Sequence, residues 1–113
     1  MYEIVITNDN PMWTHELQGT SDAPDPLDGA IEKWQYIVNF LKVNRNAIVD
    51  NGSRETCPLC WHYWEELCHG CPIREWTGLP YCQDTPYERY YDEPTLATAQ
   101  TELEFLYAVK ETQ

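Results

Sequence analysis

The most constraining feature of the sequence is a group of four cysteines within fifteen residues, in the segment CPLCWHYWEELCHGCPI at positions 57 to 73. They form two Cys-x2-Cys pairs, Cys57 with Cys60 and Cys68 with Cys71, separated by seven residues. A fifth cysteine, Cys82, follows after ten more residues. Proteins commonly build a tetrahedral metal site from two such pairs of thiolates. The spacing therefore predicts that this segment holds one metal ion.

Zinc is the expected ion, because four thiolates fill its preferred coordination shell without redox chemistry. An iron–sulfur cluster is the alternative, since Cys71 is followed by Pro72, as in ferredoxin-like ligand runs, and a fifth thiol offers a choice of ligands. The spacing leaves open which four of the five cysteines bind. Disulfides are disfavoured, because the first residues lack a secretory signal and because five cysteines leave one without a partner.

The chain is strongly acidic: 19 Asp and Glu residues against 7 Lys and Arg give a formal net charge of -12. Phosphate contacts need clustered Lys and Arg, and the basic residues are scattered here, so we expect no direct binding of nucleic acid. No run approaches the ~18 apolar residues of a membrane span, so we expect no membrane contact. With five Trp and eight Tyr as core material, the 113 residues predict one soluble, cytoplasmic domain.

Hydrophobic periodicity predicts a mainly helical fold with a short N-terminal strand. Residues 2–7 are rich in β-branched and aromatic residues, as strands are, and the following residues up to 25 read as an acidic loop. A helix is predicted over residues 26–44, with Asp25 as its N-cap and Pro26 at its first position. Its apolar stripe consists of Leu27, Ile31, Trp34, Val38 and Leu41.

Residues 26–113 make up the predicted helical, cysteine-rich, metal-binding part of this single compact domain, and residues 1–25 its strand and acidic loop. After a connector over residues 44–56, a short helix is expected from Pro58 to Leu67. Another helical turn is expected after Thr85, whose spacing to Glu88 is that of a capping box. A final amphipathic helix over residues 94–110 has an apolar stripe of Leu96, Ala99, Leu103, Leu106 and Tyr107. The expected fold is a small metal-stapled helical domain.

The segment from Cys57 to Tyr90 resembles a widespread group of small, uncharacterised proteins of bacteriophages and bacteria. The similarity extends over about residues 30 to 110 and implies a phage or prophage origin, and hence the cytoplasm of a bacterial host. It implies no particular activity. The shared pattern is found here as Cys57, Cys60, Cys68, Cys71-Pro72, Thr77-Gly78, Cys82 and Thr85-Pro86-Tyr87.

The acidic charge and the phage-like pattern together predict a protein-interaction module that inhibits a host defence or transcription complex. Such complexes hold nucleic acid in basic grooves, which an acidic protein can occupy electrostatically. The expected partner-binding carboxylates are those of Glu16, Asp22, Asp25 and Asp28. The alternative is a zinc or iron–sulfur protein with a structural or redox role and no inhibitory activity. An enzyme is not expected, because the sequence contains neither a phosphate-binding loop nor a nucleophile motif.

Overall fold

The computed structural model describes residues 1–7, 13–52, 56–63, 70–78 and 85–112, and this part of the chain contains five helices and three short strands. The predicted mainly helical fold with an N-terminal strand is confirmed. No helix in these ranges is both long and apolar enough to cross a membrane. In chain order the elements are β1 (Tyr2–Ile6), β2 (His15–Gly19), α1 (Pro26–Val43), β3 (Val49–Asp50), α2 (Pro58–Tyr63), α3 (Pro72–Thr77), α4 (Pro86–Asp92) and α5 (Leu96–Glu111).

Helix α1 is the central element of the core, and the structure confirms its prediction nearly to the residue. The side chain of Asp25 accepts a hydrogen bond of 2.9 Å from the backbone N–H of Leu27 and so caps the first turn. The apolar face of α1 packs along α5. The buried apolar side chains of α1 are Leu27, Ala30, Ile31, Trp34, Ile37, Val38 and Leu41.

Helix α5 begins slightly later than predicted, because Thr95 and Thr98 form a reciprocal capping box at its start. The buried residues of α5 are Ala99, Glu102, Leu103, Leu106 and Val109. The prediction of Tyr107 on the apolar face is wrong, since its side chain is exposed. Val109 and Glu102, which were not in the predicted stripe, are buried instead.

A three-stranded sheet has the strand order β1-β2-β3, and its buried side chains belong to the same core cluster as those of the helices. β2 and β3 lie in segments that were predicted to be loop and connector, so that part of the prediction is wrong. β2 pairs antiparallel with β1 and parallel with β3. The sequence of β2, HELQG, carries a single large apolar residue, Leu17, so its strand character comes from pairing with its neighbours rather than from composition. Leu17 is buried opposite Ile4.

Three short helices follow β3. Helix α2 starts at Pro58 as predicted, and the residues between its last residue, Tyr63, and the predicted end lie outside the described part. Helix α3 was not predicted; it is capped at its C-terminus by Gly78, whose φ of 78° is left-handed and therefore suits glycine. Helix α4 follows Thr85 as expected, but the Thr85 side chain makes no capping hydrogen bond, so the predicted capping box is wrong. The hydroxyl of Tyr90 donates to the carbonyl of Val49 and ties α4 to β3.

Candidate functional site

Two of the predicted metal ligands, Cys57 and Cys60, lie at the start of α2. Cys57 directly precedes the first residue of the helix, and Cys60 follows at the spacing of about one turn. A hydrogen bond from the Cys60 side chain, helped by the Lys33 ammonium and by backbone groups of Cys60 and Leu59, lowers the pKa of Cys57 to about 6 against the opposing effect of burial. At neutral pH this thiol is therefore largely a thiolate, which is the form that binds metals.

Cys71 lies at the N-cap position of α3, and its side chain is buried. Cys68 and Cys82 lie outside the described residues. Within the described ranges, no three His, Cys, Asp or Glu side chains come together in an arrangement that could hold a metal ion. A complete four-ligand site therefore needs ligands from outside these ranges, and the predicted set of five cysteines stays a prediction.

A buried ammonium lies beside the cysteine segment. Lys33, on α1, is fully buried, and its Nζ donates a hydrogen bond of 3.2 Å to Oδ1 of Asn51. The same Nζ lies 5.5 Å from the ring centre of Trp34 and 5.9 Å from that of Tyr87, within the range of cation–π attraction. The hydroxyl of Thr56, the residue before the cysteine pair, donates to the Asn51 carbonyl at 2.6 Å. Hydrogen bonds thus connect the ammonium to the cysteine segment.

A buried carboxyl group accompanies this ammonium. Glu102, on α5, is almost completely buried, and its Oε2 has no hydrogen-bond partner among the described residues. Burial, with a smaller contribution from the charge of Cys57, raises the pKa of Glu102 to about 8, although Lys33 acts in the opposite direction. At neutral pH the group is therefore mostly protonated and neutral.

Neither of these core ionisable groups was predicted, although the helical period contains a signal for them. Lys33 is three residues after Ala30 and four before Ile37, so it lies on the apolar face of α1. Glu102 has the same spacing to Ala99 and Leu106 on α5. A charged residue at a core position of a periodic pattern is the feature that identifies them.

The four predicted partner-binding carboxylates have different environments. Asp22 is exposed in the loop before α1. Asp25 is engaged as the helix cap, and Asp28 forms an ion pair with Lys110 of α5. Glu16 lies on β2, not in a loop as expected. Two of the four are therefore already used within the fold, and the others lie on different elements.

The outer face of the sheet brings Glu16, which was predicted to bind a partner, together with two acidic residues that were not predicted, Glu3 and Asp50. Leu17 and Val49 are buried, so the alternation of side chains along a strand turns Glu16 and Asp50 to the opposite, outer face. Glu16 is directly beside Asp50 of β3. Glu3 is paired with Gln18 and lies diagonally from Glu16 on the same face. The outer sheet face, defined here as Glu3, Glu16 and Asp50, carries three carboxylates, and the strands contain no Lys or Arg.

Comparison with known proteins gives no relative for this chain: no protein-family model, curated protein or solved structure matches it. The chemistry of its own residues, namely the thiol pair, the buried ammonium and the acidic surface, is therefore what indicates its function.

Proposed function

We propose that this protein is a small, acidic, metal-stabilised interaction module that binds a basic surface on a host nucleic-acid-handling complex and inhibits it. The observation that carries the proposal is the outer sheet face, Glu3, Glu16 and Asp50, in a chain with a net charge of -12. A surface of one charge sign attracts a partner of the opposite sign and accelerates their encounter.

The pairing of Glu16 with Asp50 supports a role for this face in binding. Like charges directly opposite each other on neighbouring strands destabilise a sheet. A partner that brings Lys or Arg against the pair removes this repulsion on binding, so part of the affinity comes from relief of an unfavourable interaction in the free protein. Proteins that bind nucleic acid carry such cation clusters for phosphate contacts. The phage-like cysteine pattern favours a target in a bacterial host.

The role proposed for the metal is to hold the short helices α2 and α3 in place. Zinc is the proposed ion, with an iron–sulfur cluster as the alternative. The lowered pKa of Cys57 supports metal binding, because thiolates are the ligands of both. Metal analysis together with an absorption spectrum distinguishes the two, since a zinc–thiolate protein is colourless and a cluster absorbs visible light. A coloured protein that captures no partner would favour the alternative function, a redox or structural role without inhibition.

The partner proposal is tested by affinity capture from a bacterial lysate at increasing salt, with a matched pair of charge-reversal variants. Glu3→Lys with Glu16→Lys changes the outer sheet face, and Glu104→Lys with Glu111→Lys makes the same change of charge on exposed positions of α5. We expect the first pair to abolish capture of a nucleic-acid-binding protein and the second to retain it. Capture by the native protein should weaken with ionic strength, because exposed charges are screened.

Equal loss of capture in both double variants would show that only net charge matters and would contradict the proposed surface. Recovery of no nucleic-acid-binding protein at any salt concentration would contradict the proposed target class. The remaining predicted carboxylates need a different choice of variant: reversal of Asp25 or Asp28 also removes a helix cap or an ion pair, so Asp22→Lys is the interpretable test of the loop.

A further inference from the structure

Helix α4 bears a small open cavity whose lining combines two aromatic rings with two carboxylates. Its volume is about 280 Å³, and it is lined by Tyr87, Glu88, Tyr91 and Asp92. The two tyrosines are four residues apart, as are the two acids, so each pair lies along one side of the helix. The cavity is therefore bounded by an aromatic side and an acidic side.

The two rings differ in how firmly they are held. The Tyr87 hydroxyl donates a 3.3 Å hydrogen bond to Oδ1 of Asn51, and the ring packs edge-on against Trp34 with 6.0 Å between ring centres. Tyr91 is 61% exposed and contacts Trp13, the residue shortly before β2, at 6.1 Å between ring centres. On the aromatic side of the cavity, the Tyr87 ring is therefore held by the core, and the Tyr91 ring is largely exposed.

The carboxylates of Glu88 and Asp92 are available to an external cation. Both side chains are exposed, and neither forms an ion pair within the described part of the chain. Arg89, the nearest cation along α4, is likewise paired with neither of them there. Two negative charges and the exposed ring of Tyr91 thus meet in one cavity, and the two carboxylates have no internal counter-ion in the described ranges. The Tyr87 ring already has the buried Lys33 ammonium 5.9 Å from its centre, so Tyr91 is the ring open to an external cation.

We propose that this cavity binds the guanidinium group of an arginine side chain from a protein partner. A cavity of about 280 Å³ is at or below the lower limit of sites for whole small-molecule ligands, which fits a single inserted side chain. A guanidinium is planar, stacks on aromatic faces and pairs with carboxylates through two parallel hydrogen bonds. A lysine ammonium is strongly hydrated and has neither the planar face nor the fork, so arginine is the better fit.

This inference deepens the proposed function, because it names the side chain by which a basic partner binds beside the sheet. The test nevertheless needs no partner: acetyl-Gly-Arg-Gly-amide is titrated into the ¹⁵N-labelled full-length protein at constant ionic strength, and backbone resonances are followed. Matched peptides carry lysine or citrulline, the uncharged analogue of arginine, in place of the arginine. We expect concentration-dependent shifts centred on residues 87–92, about 2- to 5-fold weaker binding for lysine, and no localised shift for citrulline.

Two matched pairs of variants locate the site. Tyr91→Ala removes the exposed ring, and Tyr107→Ala removes an exposed tyrosine of α5 as its control. Asp92→Asn removes one carboxylate, and Glu104→Gln is the corresponding control on α5. We expect Tyr91→Ala to weaken arginine binding about 2- to 5-fold, the range of an exposed cation–π contact, and Asp92→Asn to weaken it as well. Both controls should bind as the native protein does.

Shifts that are absent from residues 87–92, or that are the same for the citrulline peptide, would overturn the proposal. Equal weakening by Tyr107→Ala and Tyr91→Ala would overturn it too, because binding would then follow general surface composition. If arginine binds at α4 but the Glu3→Lys with Glu16→Lys variant captures the same proteins as the native protein, the proposed function is contradicted and this inference is supported. If capture depends on the outer sheet face but the arginine peptide does not bind at α4, the proposed function is supported and this inference is overturned.

Discussion

Lys33 and Glu102 put two ionisable side chains into the contact between α1 and α5. A buried charge is costly unless it is hydrogen-bonded or paired, and Lys33 has the Asn51 amide oxygen and two ring faces for this purpose. Glu102 avoids the cost by staying protonated. The Lys33 ammonium therefore has no charged carboxylate from Glu102 to offset it, and it adds to the larger effect of the Cys60 hydrogen bond in favouring the thiolate form of Cys57.

The raised pKa of Glu102 predicts a specific dependence of stability on pH. In the folded state the carboxyl group keeps its proton up to a pH of about 8, whereas in the unfolded chain it ionises near its ordinary pKa of 4.5. The contribution is fully present below pH 4.5 and is lost as pH rises to 8, at about 1.4 kcal/mol per pH unit in that window. We expect Glu102→Gln to remove this slope, as measured by urea unfolding of the metal-free protein at pH 5, 6 and 7.

The control for this experiment is Glu104→Gln, which alters an exposed acid on the same helix. It should leave the slope unchanged, and the informative quantity is the difference in slope between the two variants. Cys57, whose pKa is lowered in the folded protein, contributes the opposite slope between about pH 6 and its ordinary pKa of 9, and it does so in both variants. Identical slopes in both variants would show that Glu102 is ionised in the folded protein.

At the scale of elements, the Asp25 cap predicts a measurable contribution to α1. The Asp25 carboxylate satisfies the Leu27 N–H, which otherwise has no partner in the helix. We expect Asp25→Ala to lower the free energy of unfolding by about 1 kcal/mol. Asp22→Ala removes the same charge from an exposed position in the preceding loop and should change stability little. Chemical denaturation of the two variants compares them directly, and equal losses would assign the effect to charge alone.

The close approach of α1 to α2 predicts that Gly29 cannot be replaced without cost. A Cβ at this position would lie 2.7 Å from Cγ of Pro58 and 3.2 Å from Cβ of Ser21. Alanine ordinarily stabilises a helix interior by up to about 1 kcal/mol relative to glycine. Here we expect Gly29→Ala to destabilise the protein by about 1–3 kcal/mol, because α2 must move. A thermal melt that shows stabilisation would mean that α2 does not pack against α1 at this point.

The elements that could be predicted from the sequence are those whose signal is local. Helices α1 and α5 repeat apolar residues at the helical period over four or more turns, and that pattern defines their buried faces. Strand β2 has one buried large apolar residue, Leu17, and exists through its hydrogen bonds to β1 and β3, which are distant in sequence. The outer sheet face could not be predicted for the same reason, since only the register brings Glu16 next to Asp50. The thiol pair was predictable, because Cys57 and Cys60 are neighbours within a single turn.

At the scale of the whole molecule, the helices fall into two groups. Helices α1 and α5 are stabilised by direct packing, and helices α2 and α3 depend on the cysteines. Helices α1 and α5 bury most of the large apolar side chains, together with Leu17 and Tyr90. The short helices contribute little of this core: one large buried side chain from α2, Leu59, and one from α3, Ile73. Helices of six residues are too short to be stable alone, so they need an additional constraint.

The proposed metal supplies that constraint, so its removal should affect the two parts differently. We expect a chelator to lower the melting temperature of the zinc-loaded protein by about 10 °C or more, because thiolate coordination contributes several kcal/mol in small domains. Hydrogen exchange should then show loss of protection in α2 and α3, while α1 and α5 stay protected through their direct contact. Cys57→Ser with Cys60→Ser should reproduce the chelated state. An unchanged melt with no bound metal would refute the metal. Simultaneous loss of protection in all helices would show instead that the ion holds the entire fold together.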